Sequence, residues 1–432
     1  MNVTRRELLP GVWLTSMKSD KFKTDCISVS LLTQLSRETV SADALLPRVL
    51  ARGMRSHPTM ESIAEVCDEL YGARVFPVVR KKGEVLALGF FGGFISEQYA
   101  NGDKLLESTA ALIGEMLLNP LTRGGMLSRD FVESEKEKLL EDIAARINDK
   151  RSYALYRLRQ EMCSCEDYAC DDMGEAEWVR DVDYVSLTRR WHTLLQESPV
   201  EVFYCGSASD ERVENALRDA LDGLPRGEIN CDIGTDVRMN TVGPKPRYAI
   251  DSMEVVQSVV AMGWRLGECM EEPNIPAIML FNAAFGGGVN SKLFLHVREE
   301  KSLCYYISSG VDVRKGVMTV SAGIDVAALE AVANEIFMQL GAIQQCQFAP
   351  GEFEAVRENL IGQLRSLSDS VGAEEDYWLE QAIDGPDRTP EELAALCAEV
   401  TEKDVAAIAS SVQLDMIYLL QPKEYGQEES DA

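Results

Sequence analysis

The sequence is poor in histidine and in positive charge. Three histidines, His57, His192 and His296, occur in 432 residues, so a site built from several imidazoles has almost no material to draw on. Lys and Arg number 43 against 71 Asp and Glu, a formal net charge of −28. Phosphate backbones and anionic lipid surfaces are bound by clustered cations, so this balance argues against nucleic acid and against membrane as partners. It suits a solvated acidic surface; attraction of basic peptides is the sharper alternative.

Other absences narrow the class. The longest weakly polar run, AIMLFNAAFGGGV, is shorter than the ~18 residues a membrane-spanning helix needs and ends in glycines. Glu7 and Pro10 interrupt any apolar core of a secretory signal near the N-terminus. Eleven cysteines are an odd number, scattered without a disulfide-like framework, which fits reduced thiols and a soluble, cytoplasmic protein. Cys163, Cys165 and Cys170 in MCSCEDYAC match no zinc spacing and read as small fillers at a helix end. Neither a nucleophile elbow nor a GxxxxGK[ST] phosphate loop is present.

What remains is a globular composition, 46% apolar and 26% charged, on a chain long enough for two or three domains. The sequence repeats itself loosely at half length. Strand-like VLALGFFGGF follows the turn RKKGE, then come LLESTAALIGEMLLNP and FVESEKEKLLEDIAARINDKRSYALYRL, both with helical character. In the second half, VMTVSAGID follows VRKG, then LEAVANEIFMQLGAIQ and FEAVRENLIGQLRSLSDSVGAEEDYWL. VSLLTQL, EVLALGFF, VEVFYCG, SVVAMGWRL, MTVSAGI and MIYLLQ read as strands. This mixture predicts an α+β protein of two domains, each a mostly antiparallel sheet packed with helices. The expected divisions are 1–225, a Pro/Gly/Asn/Asp-rich linker at 226–247, 248–425, and an acidic tail at 426–432.

The segment FGGGVNSKLF (285–294), followed by VREEKSLCYYISSG, resembles the second-domain motif of the insulinase/pitrilysin-type zinc peptidases, which carry H-x-x-E-H. The likeness extends over nearly the whole chain. It implies that Arg298 and Tyr305 contact a bound peptide near the scissile bond, beside the glycine turn Gly286, Gly287 and Gly288.

Carried into the first half, the resemblance sets ALLPRVLARG against the zinc helix H-x-x-E-H-x-x-x-x-G. Ala44 and Arg48 then stand at the ligand positions, Pro47 at the base and Gly53 at the glycine. Asp142, or Glu141 one residue earlier, takes the place of the third ligand. Ala44 has no donor atom, Arg48 is permanently cationic, and Pro47 can accept no proton. One carboxylate cannot hold a catalytic zinc. A proline inside a helix also costs ~3 kcal/mol unless the helix begins there. The resemblance therefore implies a catalytically inactive homologue with no metal or other cofactor of its own. It would act as one subunit of a pair, with zinc on a homologous H-x-x-E-H partner and a peptide as substrate. The alternative is a non-proteolytic structural or peptide-binding scaffold, possibly a homodimer.

Overall fold

The computed structural model describes residues 2–100, 102, 104–238, 242–267 and 270–423; the tail expected at 426–432 lies outside them. In the first half the chain forms β1 (Asn2–Leu9), β2 (Val12–Lys18), β3 (Thr24–Gln34), α1 (Val40–Leu50), α2 (Met60–Glu69), β4 (Arg74–Lys82) and β5 (Val85–Ile95). It continues through α3 (Leu105–Leu118), β6 (Thr122–Arg123), β7 (Met126–Leu127), α4 (Arg129–Ala145), α5 (Lys150–Met162), α6 (Ala176–Asp181), α7 (Tyr184–Glu197), β8 (Val200–Gly206) and α8 (Asp210–Ala220). The described residues between α8 and the next strand form neither helix nor strand. Then follow β9 (Arg247–Met253), β10 (Ser258–Arg265), α9 (Ile275–Phe285), a π-helix (Leu293–Glu300), β11 (Tyr306–Asp312) and β12 (Val317–Ile324). The last elements are α10 (Leu329–Gln344), α11 (Glu352–Ser366), α12 (Val371–Asp384), α13 (Pro390–Glu399), α14 (Glu402–Ser411) and β13 (Gln413–Pro422).

These elements make two compact units, each assembled from separate stretches. The first takes the chain up to Ala145, Cys170–Gly234 and Ser368–Asp387; the second takes Arg146–Ala169, Thr235–Leu367 and everything from Arg388 on. The first holds a sheet in the order β1-β2-β8-β3-β5-β4, the second a sheet in the order β11-β12-β10-β13-β9. Each has one parallel pair, β2 with β8 and β13 with β9; the other neighbours run antiparallel. Counted outward from that pair, β2-β8-β3-β5-β4 and β9-β13-β10-β12-β11 are one topology written twice. The loose sequence repeat is thus a repeat of architecture.

Within each unit the alternating strand geometry gives the sheet two faces. In the first, Ile27, Val29, Leu31, Val200, Val202 and Tyr204 join the main core. The opposite face is covered by α12, whose Leu379 packs with Leu32, Val85 and Ala87. In the second unit α5 takes the matching place: Ala154, Leu158 and Met162 pack on Val259, Ala261, Met416, Tyr418 and Leu420. The approach is close enough that a Cβ on Gly263 would stand 2.4 Å from the Met162 sulfur. Beyond α5, buried charges hold Glu166: Arg265 Nη2 at 2.5 Å and Lys315 Nζ at 2.7 Å, with Asp415 3.1 Å from Arg265 Nε.

The stretch Val326–Gln344, which contains α10, is long and apolar enough to cross a membrane by length and composition. In the second unit Val332, Ile336, Leu340 and Ile343 are buried along one side of it, while Phe337 and Met338 are exposed.

Candidate functional site

The first candidate region is α1. Its buried residues include Val40, Ala44, Leu45, Leu46, Val49 and Leu50, the apolar stripe of a core helix. The helix begins at Val40, so Pro47 lies in its interior and not at its start. Proline has no N–H to return to the Asp43 carbonyl; regular bonding resumes where the Ala51 N–H donates to the Pro47 carbonyl at 3.1 Å. Asp43 itself is fully buried and takes a two-pronged contact from Arg190, Nε to Oδ1 at 2.6 Å and Nη2 to Oδ2 at 2.9 Å. Burial pushes the Asp43 carboxyl up, and the Arg190 guanidinium partly offsets that push.

The degenerate positions are brought together. Arg48 Nη1 donates to Asp142 Oδ2 at 2.6 Å, so the residues aligned with the second and third zinc ligands face each other from α1 and α4. This contact, across 94 positions of sequence, selects Asp142 over Glu141 as the residue turned toward α1. Further along the same two helices Arg52 pairs with Glu135 at 2.6 Å and lies over the Phe131 ring. Ala44 and Arg48 open onto a cavity of about 330 Å³, shared with Pro77, Val79, Leu139, Asp172 and Met173. A guanidinium thus supplies the positive charge that a metal would carry, and it occupies the Asp142 carboxylate. Among the described residues no group of three or more His, Cys, Asp or Glu is placed to hold a metal ion. The donor set at α1 and α4 does not fit zinc.

The second region is the glycine segment of the other unit. The Gly286 and Gly287 N–H groups both donate to the Asn282 carbonyl, at 3.0 and 2.8 Å, closing α9. The Gly286 carbonyl accepts from the Ser309 N–H of β11 at 2.9 Å, and a Cβ at Gly286 would stand 2.7 Å from that nitrogen. Gly286 is therefore a packing glycine, with the helix end pressed on the strand. A Cβ at Gly288 would meet open space.

The chain then enters the π-helix, which buries Leu293 and Val297. Arg298 projects from it, its side chain 41% exposed, 4.8 Å above the Phe294 ring and 3.6 Å from Glu299. Ser302 closes the turn at φ +52°, a left-handed backbone rarely adopted by residues other than glycine. Tyr305 donates its N–H to Gly323 at 2.9 Å, and its side chain is largely exposed. It immediately precedes β11, an edge strand. Between them the Cys304 thiol is pushed up to about 11 by burial, against a downward pull from Arg298, so it stays protonated and unreactive at neutral pH.

Sequence reasoning missed two participants: Arg190, which holds α1, and Arg151, whose Nη2 donates to Ser308 Oγ at 2.6 Å and whose guanidinium lies over the Tyr306 ring. Asp43 carried a signal for the first, since an acidic residue within a core-facing helix needs a cationic partner.

Residues 181–360 match the model of the peptidase M16 inactive domain. A probable inactive metalloprotease of Bacillus subtilis, YmfF, is 29% identical over 417 residues, 96% of either chain. Among solved structures, a conserved protein from Enterococcus faecalis superposes with a TM-score of 0.87 at 24% identity, covering 98% of this chain and 99% of that one. A peptidase M16 inactive domain from Pseudomonas fluorescens gives 0.79 at 16% identity, with 98% of both chains covered. These two likenesses concern the fold. The chain is thus similar over nearly its whole length to a probable inactive metalloprotease and, over residues 181–360, to the peptidase M16 inactive domain.

Proposed function

We propose that the chain is the non-catalytic subunit of a two-subunit zinc peptidase in the cytosol. A homologous subunit brings H-x-x-E-H and the metal; this chain closes the chamber and presents Arg298 and Tyr305 to the peptide. The observation that carries this reading is one of availability. Arg48 and Asp142 are occupied with each other at 2.6 Å, whereas Arg298, 3.6 Å from Glu299, and Tyr305 stand out beside an edge strand. An edge strand accepts an extended peptide through backbone hydrogen bonds and so binds with little sequence preference. A guanidinium beside it stabilises a carbonyl oxygen that gains charge during hydrolysis. The π-helix and the left-handed Ser302 in the same segment add support, because such features concentrate at functional sites. Nucleic acid and membrane have no part in the reading.

The test is purification from the native host with mass identification of any bound homologue, followed by reconstitution. Arg298→Ala is expected to lower kcat/KM of the pair on the order of a hundredfold, the effect of losing one oxyanion donor. An unchanged rate removes the residue from the active site. A homodimer that binds peptides without cleaving them favours the scaffold, and stoichiometric zinc with hydrolysis by the chain alone contradicts both readings.

A further inference from the structure

The face of the first unit's sheet beneath α12 is unusual in its polarity. Ser28, Ser30 and Glu201 of β3 and β8, and Glu374 and Glu375 of α12, are all buried there. Glu201 is 7% exposed. Its Oε1 accepts from Arg5 Nη2 at 2.6 Å, but its Oε2 has no hydrogen-bond partner in the protein. Ser30 sits directly opposite Glu201 in the β3–β8 register, and its Oγ is buried without a partner as well. Two unpartnered polar atoms on facing residues are a rare arrangement, since almost every buried polar atom in a folded protein is satisfied.

Glu201 also lines a small, partly open space of about 10 Å³, with Thr15, Ser28, Phe203 and, from α12, Glu375, Trp378, Leu379 and Ala382. That volume suits about one water molecule. We propose that this space is a built site for one water and one proton at Glu201, and that the charge of this carboxyl sets how tightly α12 is held on the sheet. The inference stands on the first unit alone and does not depend on any peptidase partner.

The electrostatics follow from the groups that face the site. From β1 comes Arg5 and from β4 comes Arg80, which holds Glu375 through two contacts at 2.5 and 2.9 Å. From α12 come Glu374 and Glu375, and beyond its end Asp387 acts on Glu201 as a further negative charge. From the sheet come the thiols Cys26 and Cys205, which oppose each other in register, while Asp25 lies on the other face beside Tyr204. Ionised, Glu201 keeps an unsatisfied oxygen in a poorly solvated seam shared with the Glu375 carboxylate. Protonated, it becomes a donor to Ser30 Oγ or to a water in that space, and its repulsion with Asp387 falls. The proton comes from solvent and no covalent bond changes.

Desolvation pushes the Glu201 carboxyl up to about 7, against the pull of Arg5. Its ordinary value is 4.5, so over the interval between, the folded state keeps a proton that the unfolded chain has lost. Stability from this group is present on the acid side and falls as pH rises through that interval. Asp25, raised to about 6 by burial, acts in the same direction, so a variant is needed to separate them.

The experiment is hydrogen exchange of the α12 amides at about pH 5.5 and about pH 8, corrected for intrinsic rates. The wild-type chain is expected to protect α12 on the order of tenfold better at the lower pH. Glu201→Gln should bring protection at the higher pH up to the low-pH level and reduce the difference. Protection that ignores pH in the wild type, or a variant that keeps the full difference, overturns the proposal. If Glu201→Gln does not fold, the carboxyl carbon of Glu201 in the labelled wild type is followed by NMR. A midpoint near 7 upholds the site, and one near 4.5 overturns it.

Discussion

The α1–α4 pair of the first unit and the Gly286–Tyr305 segment of the second are the two stretches that carry the sequence resemblance, and they treat charge in opposite ways. In the first, Asp43 meets Arg190, Arg48 meets Asp142 and Arg52 meets Glu135, each at 2.6 Å. In the second, Arg298 pairs only loosely with Glu299, at 3.6 Å, and keeps 41% of its side chain exposed. Charges that meet closely hold helices together; a charge held only loosely remains available to a ligand. The contrast separates positions given over to folding from positions free to act.

The comparison can be broken or sharpened by substitution. Asp43→Ala strips the counter-charge from Arg190, whose side chain is only 17% exposed, and is expected to cost about 3 kcal/mol in chemical denaturation. A cost below about 1 kcal/mol would put this buried pair on the footing of a surface pair. Arg48→Ala is the milder case. With side chains 28% and 52% exposed, its pair with Asp142 should contribute about 0.5–1 kcal/mol. Arg298→Ala should shift stability by no more than about 0.5 kcal/mol, and a larger loss would mean that it too serves the fold. Smallest of all is the gain from restoring Ala44→His, Pro47→Glu and Arg48→His together. Without supporting hydrogen bonds behind the ligands, tight zinc binding by calorimetry is not expected, and observing it would show that the scaffold had kept a metal site ready.

Legibility followed burial. VEVFYCG and SVVAMGWRL became β8 and β10, which are buried at every position and so read as apolar runs. The edge strands β1, β4, β9 and β11 were not read, nor was β2, which is largely buried but whose Thr15, Ser16 and Lys18 break the apolar run. RVFPVVRKK and RYAIDSM mix cations, a proline and carboxylates, because an edge faces water on one side and needs no continuous apolar pattern. At the site, the sequence could say only that Ala44, Pro47 and Arg48 are poor chemistry for a ligand or base. That Arg48 would turn to Asp142 required knowing how α1 lies against α4. The α5 and α12 segments followed α4 and α11 as plain helical pattern, and periodicity shows that a helix has an apolar side without showing which sheet that side will cover.

That last point bears on how the chain can be divided. Residues 146–169 and 368–387 each belong to a unit other than that of the sequence on either side of them. A chain cut between α8 and β9 would yield two fragments, each carrying a helix that completes the other's sheet. Neither should fold well alone, and mixing them should restore the native spectrum, as in a split reporter reassembled from its halves. The molecule is one topology written twice, each copy completed by a helix drawn from the other half of the chain.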